Sequence, residues 1–161
     1  MTYVVRDMNA KDIAVVQNVA KVAWHDTYKG IIPQGIQDEF LERAYSNEMM
    51  KRRMEHSHIF VAEIDDQIVG FANFSPIKYQ NEAELGAIYI LPGHQGKGVG
   101  TALLQRGITL LEGVRKIYIH VEAANEKGKC FYEAKGFAAL EQFEENFEGH
   151  KLQTIKMVLY T

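Results

Sequence analysis

The chain has 161 residues, 47% of them hydrophobic and 24% charged, which suits one soluble domain with an ample core. Its formal net charge of -3 carries no basic excess, which argues against nucleic acid as the main ligand. Cys130 is the only cysteine, so an intrachain disulfide is excluded. No apolar run approaches the roughly 20 residues of a membrane span. The first residues lack the basic and long apolar regions of a signal peptide, so the expected location is the cytoplasm.

In chain order, Tyr3-Val4-Val5-Arg6 reads as a short first strand. Asn9 is a candidate N-cap with Asp12 three residues on, and Ile13, Val16, Val19, Ala20 and Ala23 recur at helical spacing, predicting a helix over residues 10–24. Tyr28-Lys29-Gly30 breaks it, and Pro33 suits the first turn of a second helix with Ile36, Phe40 and Leu41 on its inner face. A third helical segment spans residues 47–56. His58 to Ile64 is a strand, Asp65-Asp66-Gln67 a hairpin turn, and Ile68 to Phe74 the returning strand.

Leu85 to Leu91 is apolar and β-branched enough for a buried strand, stopped by Pro92 and Gly93. A helix over residues 99–112, a strand over 116–121 and a helix from Asn125 to the C′ candidate Gly136 follow. Strands over 137–143 and 153–159 end the chain. The expected fold is α/β (α+β): a mixed, mostly antiparallel twisted sheet of about seven strands with helices on both faces, in one domain spanning 1–161.

Between the strand at Leu85 and the helix at Thr101 lies Gln95-Gly96-Lys97-Gly98-Val99-Gly100. The first turn of a helix presents unpaired N–H groups and the positive end of its dipole, and glycines let an anion approach the backbone closely. The dinucleotide fingerprint G-x-G-x-x-G fails here, because Thr101 or Leu103 stands where the third glycine belongs. The nucleotide P-loop fails as well, because Val99 follows Gly98 where lysine is needed.

What remains, Gln95-x-x-Gly98-x-Gly100 between a strand and a helix, resembles motif A of the Gcn5-related N-acetyltransferases (GNAT), whose loop holds the pyrophosphate of acetyl-CoA. Asn125 followed by Phe131-Tyr132-Glu133-Ala134-Lys135-Gly136-Phe137 resembles the same family's motif B. The resemblance implies direct acetyl transfer from acetyl-CoA, with no enzyme nucleophile. Cys130 is accordingly read as a packing residue.

By that resemblance, residues Gln95, Gly96, Lys97, Gly98, Val99, Gly100 and Thr101 hold the cofactor's phosphates. Asn125 contacts the pantetheine arm or a water, and Tyr132 acts as general acid to the leaving thiolate. Within Ile88, Tyr89, Ile90 and Leu91, a strand bulge frees an N–H to polarise the acetyl carbonyl.

Glu84, 11 residues before Gln95, resembles the general base of family members that acetylate lysine tails. A carboxylate in that role calls for apolar surroundings that raise its proton affinity. Tyr89 and Tyr118 are the polar alternatives. Trp24, His25 and Tyr28 form an aromatic cluster, and Trp24-His25-Asp26-Thr27-Tyr28 before Gly30-Ile31-Ile32-Pro33 looks like the bacterial polyamine acetyltransferase branch. An aromatic wall there suits a cationic acceptor.

Glu141, Glu144, Glu145 and Glu148 add acidic charge on the last hairpin. The expected partner is a small-molecule amine or polyamine, with no metal, no nucleic acid and no membrane, and a homodimer is compatible with exposed sheet and helix faces. The alternatives are a non-enzymatic CoA-binding sensor on the same fold and an enzyme acting on protein amines.

Overall fold

The computed structural model describes residues 3–161. Seven strands form one sheet: β1 Val4–Asp7, β2 His58–Ile64, β3 Gln67–Phe74, β4 Glu82–Ile90, β5 Lys116–Glu122, β6 Ala138–Phe147 and β7 His150–Tyr160. Their spatial order is β1-β2-β3-β4-β5-β7-β6. Every neighbouring pair is antiparallel except β4 and β5, which run parallel.

Five α-helices connect them: α1 Ile13–Tyr28, α2 Gln34–Ala44, α3 Asn47–His56, α4 Val99–Leu110 and α5 Glu126–Ala134. Two buried clusters sandwich the sheet. One joins α4 to Phe60, Phe74, Ala83, Leu85, Ile117 and Ile119, with Tyr132 of α5 packed against it. The other joins α1, α2 and α3 to Ile59, Val61 and Phe71 on the opposite face.

Local sequence explains the element ends. Asn9 and Asp12 form a capping box: the Asn9 side chain accepts from Lys11 N, and Asp12 Oδ2 accepts from Asn9 N at 2.9 Å. Asp12 also accepts from Arg6 at 2.8 and 3.1 Å, which holds its carboxyl below the usual aspartate range. The first helical segment outruns its predicted end at residue 24 by a full turn, because Trp24 and Tyr28 pack together (ring centroids 4.4 Å apart) in the α1–α2 cluster and reward continued winding.

Pro33 is the N-cap of α2 rather than part of its first turn. Asp65 and Asp66 adopt φ of 51° and 64°, which closes β2–β3 as a tight hairpin of the primed kind. β4 begins three residues before the predicted strand, at Glu82, and the last hairpin is longer than expected, reaching Phe147 and starting again at His150.

Two irregularities shape the middle of the sheet. The β3–β4 register shifts between Asn73↔Ala87 and Phe74↔Leu85, so Gly86 is the extra residue of a β-bulge. Upstream of it Ala83 and Leu85 face α4; downstream Ile88 and Ile90 face α4 while Ala87 and Tyr89 turn to α1. In addition, β4 pairs with β5 only at Glu82↔Lys116, Ala83↔Ile117 and Glu84↔Tyr118. Beyond Glu84 the two strands diverge, and the sheet opens into a V.

Candidate active site

The open arm of the V is where the sequence motifs meet. Leu91 N–H donates to Val69 O at 2.8 Å, and Ile90 sits opposite Gly70. Alternation along an antiparallel ladder therefore turns the N–H and C=O groups of Ile88 and Ile90 away from β3 and toward the gap. Gln95 Nε2 donates to Ile90 O at 3.2 Å from that side. The bulge expected within Ile88–Leu91 lies instead at Gly86. The N–H groups at Ile88 and Ile90 are freed by the loss of a β5 partner, not by a bulge of their own.

The glycine-rich loop stands at the mouth of this gap. Gly96 (φ 73°) and Gly98 (φ 86°) are both left-handed, and no atom lies within 4 Å of where either Cβ would stand. Gly98 is the N-cap of α4 and supplies no side-chain cap, and the first backbone bond of the helix is Ala102 N to Gly98 O at 3.0 Å. The amides of Val99, Gly100 and Thr101 thus precede the helical ladder, with Lys97 exposed beside them.

Gly100 also has a packing task. A Cβ there would sit 2.9 Å from Phe131 Cε1 and 3.2 Å from Ile90 Cδ1, so its absence lets α5 close against α4 and β4.

Tyr132 projects from α5 with its ring edge-on to Phe131 and Phe137, both at 5.4 Å. Burial pushes its hydroxyl above the ordinary tyrosine range, and the nearby Tyr28 hydroxyl adds to the effect. Tyr28 and Tyr89 are raised too, chiefly by burial, which the neighbouring Tyr89 hydroxyl partly offsets for Tyr28. Three hydroxyls from α1, β4 and α5 therefore gather where the sheet divides, each holding its proton through neutral pH.

Tyr89 therefore keeps its proton at neutral pH. Tyr118 is raised as well, by desolvation and by donating to Glu82 Oε1 at 3.2 Å.

Glu84 ends the paired part of β4, on the face that carries α1 and α2. Its side chain is 45% exposed and lies 3.6 Å from His120 Nδ1, not in the apolar surroundings expected of a lone carboxylate base. His120 was missed by motif reading. The signal was in the alternation of β5, where Lys116, Tyr118, His120 and Glu122 share one face and Ile117, Ile119 and Val121 the other.

Asn125 is the N-cap of α5. Its Oδ1 accepts from Gly128 N at 3.0 Å, which leaves the amide nitrogen for a ligand. Cys130 is exposed on α5 rather than packed, since Phe131 and Tyr132 occupy the inner face of that helix.

Of the three residues of the α1 cluster, Trp24 and Tyr28 stay together and His25 parts from them. Trp24 is 5% exposed, within stacking range of Tyr28, Phe40 (4.7 Å) and Phe147 (5.8 Å). It also walls a cavity of about 250 Å³ with Tyr45, Arg53, Gly86 and Tyr89. His25 turns away to Asp38 of α2 at 2.9 Å and lines a larger cavity of about 590 Å³ with Ile31, Gln37 and His150, between the α1–α2 loop and the last hairpin.

The hairpin carboxylates are partly engaged: Glu145 accepts from Thr154 Oγ1 at 2.7 Å, Glu144 faces Lys151, and Glu148 pairs with Arg43 of α2. Among the described residues no group of three or more His, Cys, Asp or Glu side chains has metal-site geometry. No described helix is long and apolar enough to cross a membrane.

The model of the acetyltransferase (GNAT) family matches residues 20–137. The chain belongs to that family. It is 31% identical over 150 residues to the uncharacterized N-acetyltransferase YuaI of Bacillus subtilis strain 168, covering 89% of this chain and 84% of the relative. It is 26% identical over 145 residues to a spermidine N(1)-acetyltransferase of Thermoplasma acidophilum, covering 85% and 89%.

In fold, this GNAT chain superimposes on the PaiA N-acetyltransferase of Thermoplasma acidophilum, solved in complex with coenzyme A, at a TM-score of 0.86 and 23% identity over all of both chains. The GNAT match spans motif A, the split and motif B, the three features that the geometry brings together.

Proposed function

We propose that residues 1–161 form one acetyltransferase domain that moves the acetyl group of acetyl-CoA directly to a primary amine of a small molecule or polyamine. The observation that carries this reading is the V between β4 and β5, with the uncapped start of α4 at its mouth and the N–H groups of Ile88 and Ile90 along its wall.

The amides of residues 96–101 and Lys97 hold the diphosphate. The thioester lies along β4, where a free N–H donates to the acetyl oxygen as charge develops on it. Tyr132, kept protonated by burial, protonates the leaving thiolate. The amine enters from the face of Glu84, where Trp24, Tyr28 and Tyr89 offer aromatic surface to an alkyl cation and Glu84, Glu122 and Glu145 draw positive charge.

The likeness to a spermidine N(1)-acetyltransferase supports a polyamine as acceptor. The test is a panel of amines, including spermidine, butylamine and a lysine peptide, incubated with acetyl-CoA while free thiol is followed. Turnover greatest with small amines or polyamines is the expected result. Tight acetyl-CoA binding with no turnover of any amine refutes transferase activity and leaves a CoA sensor, and preference for the peptide moves the acceptor to protein amines.

A further inference from the structure

His120 stands on β5 two residues past its last pairing with β4, so it lies on the open arm of the V. Its Nδ1 is 3.6 Å from Glu84 Oε1, and its ring meets Phe143 of β6 edge-on at 6.0 Å. We propose that His120 takes the proton from the acceptor ammonium, and that Glu84 is the counter-charge that favours the resulting imidazolium. The inference rests on the acetyltransferase reading above and names the base within it.

The surroundings suit a base that must gain and lose a proton in every turnover. The His120 and Glu84 side chains are 43% and 45% exposed, so water reaches both. A carboxylate open to water binds a proton weakly at neutral pH. An imidazole changes charge between about pH 5 and 8, close to where a general base is most effective.

The charged and titratable groups facing His120 come from four strands. β4 presents Glu82 and Glu84, and β5 presents Lys116, Tyr118 and Glu122. β7 presents Lys156 directly opposite His120 in register, its Nζ drawn 4.5 Å over the Tyr118 ring. β6 presents Glu141 opposite Lys156, and Glu145 bonded to Thr154. Lys156 and Glu84 thus flank the His120 ring with opposite charges.

The step balances. One N–H proton of the ammonium passes to the imidazole, which frees the nitrogen lone pair. That pair forms the C–N bond as the C–S bond breaks. A second nitrogen proton replaces the one that Tyr132 gives to the thiolate sulfur, the third stays on the amide, and the imidazolium releases its proton to water.

The experiment measures kcat against pH from 5 to 9 at saturating amine, using the fastest acceptor of the panel, for the unaltered enzyme and for His120→Gln, His120→Ala and Glu84→Gln. The His120 variants are expected to lose about 100-fold in kcat together with the acid limb, while the thermal shift given by acetyl-CoA is unchanged. Added imidazole should restore part of the His120→Ala rate, which a purely structural role would not allow. Glu84→Gln should lower kcat but keep the acid limb, since the imidazole that takes the proton remains.

An acid limb that persists in both His120 variants overturns the proposal, as does a limb abolished by Glu84→Gln alone. If the unaltered enzyme turns over no amine, the acetyltransferase reading itself fails and takes this one with it. That result is told apart because the unaltered protein is then inactive.

Discussion

Replacing Gly98 by alanine separates the backbone conformation of the loop from its packing. Gly98 has φ 86° and open space where a Cβ would be, so the methyl group meets nothing. The cost is conformational, about 1–2 kcal/mol for a left-handed alanine. In a chain of this size 1 kcal/mol moves Tm by about 2–4 °C, so a loss of about 2–8 °C with the fold intact is expected.

Binding should suffer more. Relaxing φ at the N-cap re-aims the amides of Val99, Gly100 and Thr101. Each hydrogen bond to a charged group contributes about 1.5–3 kcal/mol, so losing one weakens acetyl-CoA binding by about 10- to 100-fold. The control is Gly113→Ala, at φ 85° and also with open space, beyond the other end of α4. It carries the same strain and should leave affinity untouched. Titration calorimetry with acetyl-CoA reads both variants. Unchanged affinity in Gly98→Ala, or an equal loss in Gly113→Ala, refutes a phosphate cradle made by the residue 96–101 amides.

Three further outcomes are expected. Tyr132→Phe should lower kcat by about 10-fold or more with little change in acetyl-CoA affinity, and an unchanged rate removes the hydroxyl from the mechanism. Burial raises Tyr28, Tyr45, Tyr89 and Tyr132 above the ordinary tyrosine value near 10. The unfolded chain therefore releases these protons first, and stability should be full below about pH 10 and fall as pH rises beyond it, as circular-dichroism melts against pH would show. Asp12→Ala removes both the capping box and the acceptor of Arg6, which should cost about 2–3 kcal/mol in urea unfolding. A loss under 0.5 kcal/mol means that Arg6 finds equal partners in Glu63 and solvent.

Short-range chemistry was legible from the residues alone. Asn9 and Asp12 specified a helix start, Asp65-Asp66 a hairpin, and Gly136 a helix end, because each depends on atoms a few positions apart. The loop from Gln95 to Gly100 was legible as a candidate anion site for the same reason: a diphosphate needs consecutive amides, and consecutive amides are written consecutively in the chain.

The amine side was not legible in this way. Glu84 is singled out in the sequence only by its resemblance to a family base, and His120 lies 36 positions later with no motif around it. Only the parallel pairing of β4 with β5 sets them 3.6 Å apart. The bulge at Gly86 likewise depends on how β3 and β4 slide against each other, and the split depends on β5 ceasing to pair after Tyr118. Sequence determined the elements and the glycine-rich loop, because hydrogen bonds within one turn are local. Tertiary structure decided where the sheet parts and which side chains face the gap, because strand register is settled by packing between segments far apart along the chain.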